Sequence, residues 1–207
     1  MKIALVMRSG GDFNHTHVAM IARQLTGYDV VCLTDKAPAH PLPGVEYWPL
    51  SGVLTGWWSK LELFAPWNFK PGERIVYFDL DTVIIHEPSA LFEWRGTFAA
   101  LEDLWNPGRM ASGVMAWEAG PAVWPIWETA CIAGHDGAHV AQVRGTDWTP
   151  VQRIEPGVCS FKPVARDHHT WRRTLDGSES VVCFHGQPRP WDVADEIKWL
   201  TPYVRGV

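Results

Sequence analysis

Two aspartates, Asp79 and Asp81, stand one residue apart in the segment FDLDTVI, directly after an apolar run. Residues two positions apart in a β-strand point to the same side, so this spacing brings two carboxylates together at a strand end. Like charges at such a distance repel each other unless a cation lies between them. The two residues, called the Asp pair below, therefore predict a divalent metal site, which at a strand end is typical of phosphate chemistry.

The segments around the Asp pair predict an α/β fold. Apolar strands are expected at 2–7, 30–33 and 74–79, and a helical pattern at 15–25 separates the first two strands. This alternation favours a mainly parallel sheet with helices on both faces, in a Rossmann-like arrangement. The later strands and loops are expected to form a wall over one edge of that sheet.

The composition is that of an ordinary globular protein, and we expect a single domain over 1–207. The chain is 46% hydrophobic and carries a net charge of −5. It has no basic block that would predict nucleic-acid binding. No apolar stretch is long enough for a transmembrane span. The four cysteines form no CxxC pair, which favours reduced thiols in a cytoplasmic protein.

Polar residues follow the other early strands as well. Ligands of open α/β sheets bind beyond the carboxyl ends of the strands. Arg8, Ser9 and Gly10 follow the first strand, and Asp35 follows the second. Backbone and side-chain donors at these positions would suit the base or ribose of a nucleotide. The sequence therefore predicts that these residues share one rim with the Asp pair.

Two families place Asp-x-Asp after an apolar strand. The segment FDLDTVI resembles the motif of haloacid-dehalogenase-like phosphatases, in which the first Asp is a nucleophile and the second a general acid. That motif normally lies near the N-terminus, and a later acidic pair, absent here, should complete the site. This phosphatase interpretation is the alternative.

Four segments in order resemble the GT-A fold glycosyltransferases of family 8, the glycogenin-like enzymes. Besides the Asp pair, these are GWWSKLELF at 56–64, SGVMAW at 112–117 and VVCFHGQPRPW at 181–191. The resemblance implies a GT-A fold, with a nucleotide-binding half at 1–101 and a sugar or acceptor half at 102–207. It also implies transfer of a sugar from a UDP-sugar, with retention of anomeric configuration. A non-catalytic nucleotide-sugar binder is a further alternative.

The resemblance assigns the metal and the phosphate contacts. Asp79 and Asp81 would hold the divalent ion, and Asp79 would also contact the donor. The family's third ligand is a His, at the position where Cys183 stands. His185 shares a strand face with Cys183 and is favoured as the ligand, with Cys183 as the alternative. An imidazole ligand favours Mn²⁺, and Mg²⁺ is the other candidate.

The diphosphate of the donor would contact three further residues. The resemblance places Lys60 in the Ser-Lys-Leu segment that precedes the Asp pair. It places Gly186 and Arg189 in the closing segment, where the family has a phosphate-binding Lys at the position of Arg189. Glycine allows close backbone approach to phosphate, and arginine can bind phosphate with two parallel hydrogen bonds.

Two carboxylates are candidates for contact with the transferred sugar. Asp103 ends the segment ALED, where the family has an Asp, and Glu102 competes for that role. Asp147 in GTDWTP is the candidate for a carboxylate near the anomeric carbon, with a helix N-cap as the alternative. The family's Asn stands at Ala111 here. Nothing identifies the acceptor as a glycan, a lipid or a protein, although four tryptophans are candidates to line its cleft: Trp57, Trp58, Trp105 and Trp148.

Overall fold

A computed structural model describes residues 1–133, 138–162 and 175–206. Seven strands form its main sheet: β1 (Lys2–Met7), β2 (Val30–Thr34), β3 (Val45–Pro49), β4 (Arg74–Phe78), β6 (Phe98–Glu102), β7 (Met110–Glu118) and β8 (Thr149–Pro150). Their order is β3–β2–β1–β4–β7–β6–β8, and β7 alone runs antiparallel to its neighbours. The predicted α/β class with a mixed, mainly parallel sheet is confirmed.

A second, small sheet was not expected from the sequence. It consists of β5 (Thr82–Ile84), β9 (Val158–Ser160) and β10 (Val181–Cys183) in the order β5–β10–β9. β10 is antiparallel to β5 and parallel to β9. The apolar runs that predict the late strands therefore form strands, but these pair with β5 in a separate sheet.

Helices lie between the strands. The α-helices of the described residues are α1 (His15–Arg23), α2 (Ser89–Glu93), α3 (Trp124–Ala133), α4 (Ala138–Arg144), α5 (Val151–Ile154), α6 (Pro190–Val193) and α7 (Thr201–Arg205). A 3₁₀ helix over Gly56–Phe64 precedes β4. The short helix α5 begins only after β8, because Thr149 and Pro150 pair with β6.

The start of α1 shows why the chain turns helical there. Asn14 accepts a hydrogen bond from the backbone N–H of Thr16 at 2.8 Å, and His17 Nδ1 accepts one from the backbone N–H of Asn14 at 3.0 Å. This reciprocal capping satisfies two amides that a helix start leaves unpaired. Val18 and Ile21 lie on the face of α1 that packs against the main sheet.

Apolar side chains cover both faces of the main sheet. Along β1, Ile3 and Leu5 belong to the core on the α1 side, whereas Ala4 belongs to the core on the side of the 3₁₀ helix and α3. This alternation follows from the two-residue period of a strand. A third core lies between the small sheet and the C-terminal helices and includes Phe161 and Phe184.

No helix among the described residues is long and apolar enough to cross a membrane. Cys32 and Cys183 are buried and Cys159 is half-buried, and none of these three forms a disulfide. The cytoplasmic location and the division into halves at 101 and 102 stay predictions.

Candidate active site

The Asp pair lies where the two sheets meet. Asp79 directly follows β4, and its backbone N–H donates to the carbonyl of Gly113 on β7 at 2.8 Å. Asp81 directly precedes β5 of the small sheet. The pair therefore lies at the carboxyl end of β4, on the rim where the carboxyl ends of β1, β2 and β6 also lie.

Two side chains, Lys60 and Tyr77, contact Asp79. Lys60 Nζ lies 2.7 Å from Asp79 Oδ1 and 3.2 Å from Ser112 Oγ. The Tyr77 hydroxyl donates to the same carboxylate oxygen. Burial, and next the charge of Asp79, raises the pKa of Tyr77 well above its usual value, so this hydroxyl stays a donor. Lys60 thus lies against the Asp pair, and its contact with the donor stays a prediction.

Asp81 is bonded to Arg189, which comes from more than 100 residues further along the chain. Arg189 Nη1 donates to Asp81 Oδ2, and its Nη2 lies 3.4 Å from Asp12 Oδ2 in the loop after β1. The guanidinium also lies over the Phe13 ring at 4.9 Å. Burial and the neighbouring Asp79 raise the pKa of Asp81, and Arg189 and Lys60 oppose this effect.

The exit of β10 explains how Arg189 reaches this place. Cys183 on β10 pairs with Thr82 on β5, so the chain leaves the small sheet beside Asp81. His185 and Gly186 then adopt left-handed backbone conformations with φ of 43° and 81°. Such a conformation at a non-glycine residue costs on the order of 1 kcal/mol or more and is often found at functional sites. The tight turn directs the following segment back toward the rim.

His185 points into the space near the Asp pair. Its Nε2 lies 3.1 Å from Ser160 Oγ. Burial, followed by the charge of Lys162, lowers the pKa of His185 to about 4, although Asp79 and Asp103 act in the opposite direction. The ring is therefore neutral at physiological pH, with one nitrogen able to accept a hydrogen bond.

Lys162 is a site residue that the sequence analysis missed. It follows β9, is only 9% exposed, and donates from Nζ to the backbone carbonyl of His185 at 2.8 Å. Burial, and then the charge of Arg189, lowers the pKa of Lys162. A lysine directly after the apolar strand VCSF was the available indication, because strand ends on this rim carry the site.

The predicted nucleotide contacts after β1 and β2 form one cluster. Asp35 accepts hydrogen bonds from the Ser9 backbone N–H at 2.8 Å and the Ser9 hydroxyl at 2.5 Å. Arg8 Nε lies 3.7 Å from Asp35 Oδ2. Burial favours a raised pKa for Asp35, but the bonds from Ser9 outweigh it and lower the pKa. Gly10 follows with φ of 86°, which only glycine adopts easily.

The two predicted sugar-contacting carboxylates lie in different places. Asp103 directly follows β6, on the rim, and accepts hydrogen bonds from the backbone N–H groups of Trp105 and Asn106 at 2.8 and 3.1 Å. These bonds lower the pKa of Asp103 against the effect of burial. Glu102 instead accepts from the backbone N–H of Gly108 at 2.8 Å.

Asp147 is not brought together with the rest of the candidate site. It precedes β8, whose Thr149 pairs with Ala99 near the start of β6, so it lies toward the amino end of that strand. Its carboxylate is 80% exposed and lies 2.6 Å from Arg144 Nη2. The structure therefore pairs Asp147 with a local arginine on α4.

The side chains that the structure describes do not fit a divalent metal site in this arrangement. The described ranges contain no group of three or more His, Cys, Asp and Glu residues that could hold a metal ion. Asp79 already forms an ion pair with Lys60, and Asp81 forms one with Arg189. At the third-ligand position, burial and the neighbouring Asp81 raise the pKa of the Cys183 thiol well above its usual value, which disfavours the thiolate that binds metals.

The four tryptophans singled out in the sequence differ in exposure. Trp57 is 72% exposed and Trp105 is 50% exposed. Trp58 and Trp148 pack against the core on the side of the 3₁₀ helix. Trp105 lies in the loop after Asp103, with its ring 5.8 Å from that of His185 and 5.5 Å from Lys162 Nζ. Of these four, Trp105 is therefore the exposed ring that contacts the candidate site.

Comparisons with known proteins show the fold. The sequence matches no family model and no curated protein. Among solved structures, the chain is similar to the galactosyltransferase LgtC in complex with donor and acceptor sugar analogues, with a TM-score of 0.59 and 13% identity over 99% of this chain and 94% of that one.

A second similar structure is the glycosyltransferase GlyE of Streptococcus pneumoniae TIGR4. Its apo form aligns with a TM-score of 0.63 and 11% identity over 92% of this chain. This chain spans just over half of the GlyE chain, 55% of its length. The GT-A-like fold expected from the motifs is thus confirmed as the fold of these glycosyltransferases.

Proposed function

We propose that this chain is a glycosyltransferase that transfers a sugar from a UDP-sugar to an acceptor. One observation carries the proposal: the Asp pair, with Lys60 and Arg189 bonded to it, lies on the ligand-binding rim of a sheet shared with glycosyltransferase structures. Carboxylates and cations at one place suit a ligand that carries both hydroxyl groups and a diphosphate.

The donor would lie along the rim. Its base and ribose would contact the Arg8–Gly10 loop, where Ser9 and Asp35 already form a rigid hydrogen-bonded unit. Its diphosphate would lie beside Lys60, Gly186 and Arg189. Asp79 would contact the ribose or the sugar through the carboxylate oxygen that Lys60 leaves free.

The transfer breaks the bond between the anomeric carbon and the diphosphate oxygen and forms a new bond from that carbon to an acceptor oxygen. Retention, which the resemblance implies, requires attack on the face that the diphosphate leaves. The leaving phosphate oxygen takes the acceptor proton, so no strong protein base is required. Lys60 and Arg189 would stabilise the charge that develops on UDP, and the ionised Asp103 would stabilise the positive charge at the anomeric carbon.

The acceptor would bind on the side of Trp105. Its half-exposed indole lies next to His185 and follows the rim residue Asp103. Flat aromatic rings stack well against the apolar faces of sugar rings. This placement supports a sugar-containing acceptor without identifying it further.

A phosphatase activity has less support. It requires Asp79 as a free nucleophile, whereas Lys60 and Tyr77 both donate to one of its oxygens. It also requires a further acidic cluster, and no group of three metal-binding side chains exists in the residues that the structure describes.

The donor class is tested by thermal unfolding with UDP-, GDP- and ADP-sugars, each with Mn²⁺, with Mg²⁺ and with EDTA. A ligand at one hundred times its dissociation constant should stabilise the native state by about 2.7 kcal/mol. We expect a shift with UDP-sugars in at least one of these conditions. If no nucleotide sugar shifts the midpoint in any condition, the proposed function is wrong.

Turnover is tested by UDP release with sugar acceptors. Asp81→Asn should lower the rate by about 10²–10³-fold, because it removes the charge that positions Arg189. Asp29→Asn is the matched control, since this exposed Asp precedes β2 at the opposite edge of the sheet. Binding without turnover would favour the non-catalytic binder, and cleavage of p-nitrophenyl phosphate that is lost in Asp79→Asn would favour the phosphatase.

A further inference from the structure

Both carboxylates of the Asp pair are bonded to cations of the chain itself. Lys60 Nζ lies 2.7 Å from Asp79 Oδ1, and Arg189 donates to Asp81. The side chains of Asp81 and Arg189 are each 8% exposed, so water screens this pair poorly. Two side chains therefore supply the positive charge that a divalent ion would bring.

A third cation, Lys162, is bonded to the turn that leads to Arg189. Its Nζ donates at 2.8 Å to the backbone carbonyl of His185, two residues beyond the end of β10. It also lies 5.5 Å from the ring of Trp105, which follows the rim residue Asp103. Lys162 therefore adds a positive charge to the segment that carries Arg189, where an anion with several oxygens could contact both groups.

Arg189 has a hydrogen-bond donor that no described residue uses. Its Nε is buried and has no hydrogen-bond partner among the residues that the structure describes, although the whole side chain is more than nine-tenths buried. A buried donor left unpaired costs about 1–3 kcal/mol, so such groups usually have a ligand or water as partner. An anion with several oxygens, such as a diphosphate, would satisfy it.

We propose that Lys60, Lys162 and Arg189 hold the diphosphate of the donor, and that this binding needs no divalent metal ion. The proposal rests on the proposed function, which supplies a nucleoside diphosphate as ligand. The guanidinium of Arg189 can offer two parallel hydrogen bonds to phosphate oxygens, and the two lysines add compact charges. Lys162 is a diphosphate contact that the sequence motifs do not indicate.

A divalent ion would meet obstacles at this site. It would have to displace Lys60 from Asp79 and Arg189 from Asp81 before it reached either carboxylate. The displaced cations would then stand beside a doubly charged ion, and the side chains of Asp81 and Arg189 are each only 8% exposed. Among the residues that the structure describes, no group of three His, Cys, Asp and Glu side chains could hold the ion, and His185 Nε2 already lies 3.1 Å from Ser160 Oγ.

The test is calorimetric titration of the full chain with UDP, once in EDTA and once in Mn²⁺. We expect dissociation constants that agree within about threefold, because the charge is supplied by side chains. Lys162→Met should weaken UDP binding in EDTA by about tenfold or more, since a hydrogen bond to a charged group contributes about 1.5–3 kcal/mol. Lys60→Met should have a similar effect.

Two controls separate phosphate binding from damage to the fold. Lys70→Met removes the same charge from an exposed loop before β4, at the opposite edge of the sheet, and should leave the affinity unchanged. Uridine without phosphates should bind wild type and Lys162→Met alike. Because Arg189→Met is expected to be unstable, Arg189→Lys, which keeps the charge and loses the two-pronged bond, is used for that position.

The outcomes distinguish this proposal from the proposed function. If UDP binds tightly with Mn²⁺ and more than about tenfold more weakly in EDTA, the metal-free mode is wrong and the proposed function stands. Equal loss of uridine and UDP binding in Lys162→Met also overturns the role of Lys162. If UDP binds under neither condition, both proposals fail.

Discussion

The two carboxylates of the Asp pair belong to different regions of the molecule. Asp79 follows the main sheet, its side chain is 31% exposed, and its partners Lys60 and Tyr77 lie within 20 residues of it. Asp81 leads into the small sheet, its side chain is 8% exposed, and its partner Arg189 is 108 residues away. The site therefore contains two ion pairs: one joins residues close in sequence and is partly exposed, and the other joins residues far apart in sequence and is buried.

The difference in exposure indicates different roles for the two ion pairs. A partly exposed pair contributes little to stability and can exchange its partner for a ligand at low cost. A buried pair depends on both partners, because either one alone would be an uncompensated charge. We infer that Lys60 and Asp79 mainly serve ligand binding, whereas Arg189 and Asp81 also hold the small sheet against the main sheet.

The largest expected effect comes from Arg189→Met. It leaves the Asp81 carboxylate buried without its cation, and we expect a loss of about 3–5 kcal/mol in the free energy of unfolding. Urea denaturation followed by circular dichroism measures it. The double variant Arg189→Met/Asp81→Asn removes both charges and should recover most of the loss. If the double variant is as unstable as the single one, the buried pair does not hold the two regions together.

Gly157→Ala tests how closely the backbone packs at the small sheet, without changing any charge. A Cβ at Gly157 would stand 2.6 Å from the backbone oxygen of Ser178 and 2.7 Å from the backbone nitrogen of Ser180. The start of β10 would have to move, and we expect a cost of about 1–3 kcal/mol in the free energy of unfolding.

Gly113→Ala is the matched change in the main sheet. A Cβ there would meet Asp79 Oδ2 at 3.4 Å, an ordinary contact. Its effect on stability should stay within about 0.5 kcal/mol. Equal losses for the two alanine variants would contradict the expectation that the backbone beside Gly157 leaves less room than the surroundings of Gly113.

The residues on the main-sheet side of the site could be predicted from the sequence more completely than those on the small-sheet side. The rim residues Ser9, Asp35 and Asp79 were predicted because each lies within two residues of the end of an apolar run, and the carboxyl ends of parallel strands meet at one edge. Lys60 was predicted from its resemblance to a short motif. These residues depend on local patterns and on one general rule of sheet geometry.

The small-sheet side could not be predicted in the same way. Three short strands pair across about 100 residues of sequence, and no periodic pattern in β5 distinguishes it from a loop. The pairing of Arg189 with Asp81 depends on this register and on the left-handed turn at His185 and Gly186. Lys162 was missed for the same reason. Asp147 was placed by analogy with a motif, whereas its position follows from the pairing of β8 with β6.

Lys60→Met tests the solvated pair. Removing this cation leaves Asp79 with the Tyr77 hydroxyl and access to water, so we expect a loss of only about 1 kcal/mol or less. The measurement is again urea denaturation, in low salt and in 0.5 M NaCl. Salt should reduce the effect of Lys60→Met more than that of Arg189→Met, because only the first pair is screened by solvent ions. A loss as large as that of Arg189→Met would remove the distinction between the two pairs.

The last effect depends on pH and concerns the contact between the regions. The His17 ring on α1 stacks on Trp191, 3.8 Å between centroids, and its Nδ1 accepts from the Asn14 backbone N–H. Burial, and next the charge of Arg189, lowers the pKa of His17 below its usual 6.5. As the pH falls, the imidazole of the unfolded chain therefore takes up a proton before that of the folded chain. The contribution of His17 to the free energy of unfolding is fully present above pH 6.5 and decreases below it, by at most about 1.4 kcal/mol per pH unit. His17→Gln keeps an acceptor for the helix cap and does not titrate. Between pH 7.5 and 5.5 the free energy of unfolding should decrease more in wild type than in His17→Gln, and parallel curves would show that this contact carries no proton-linked stability.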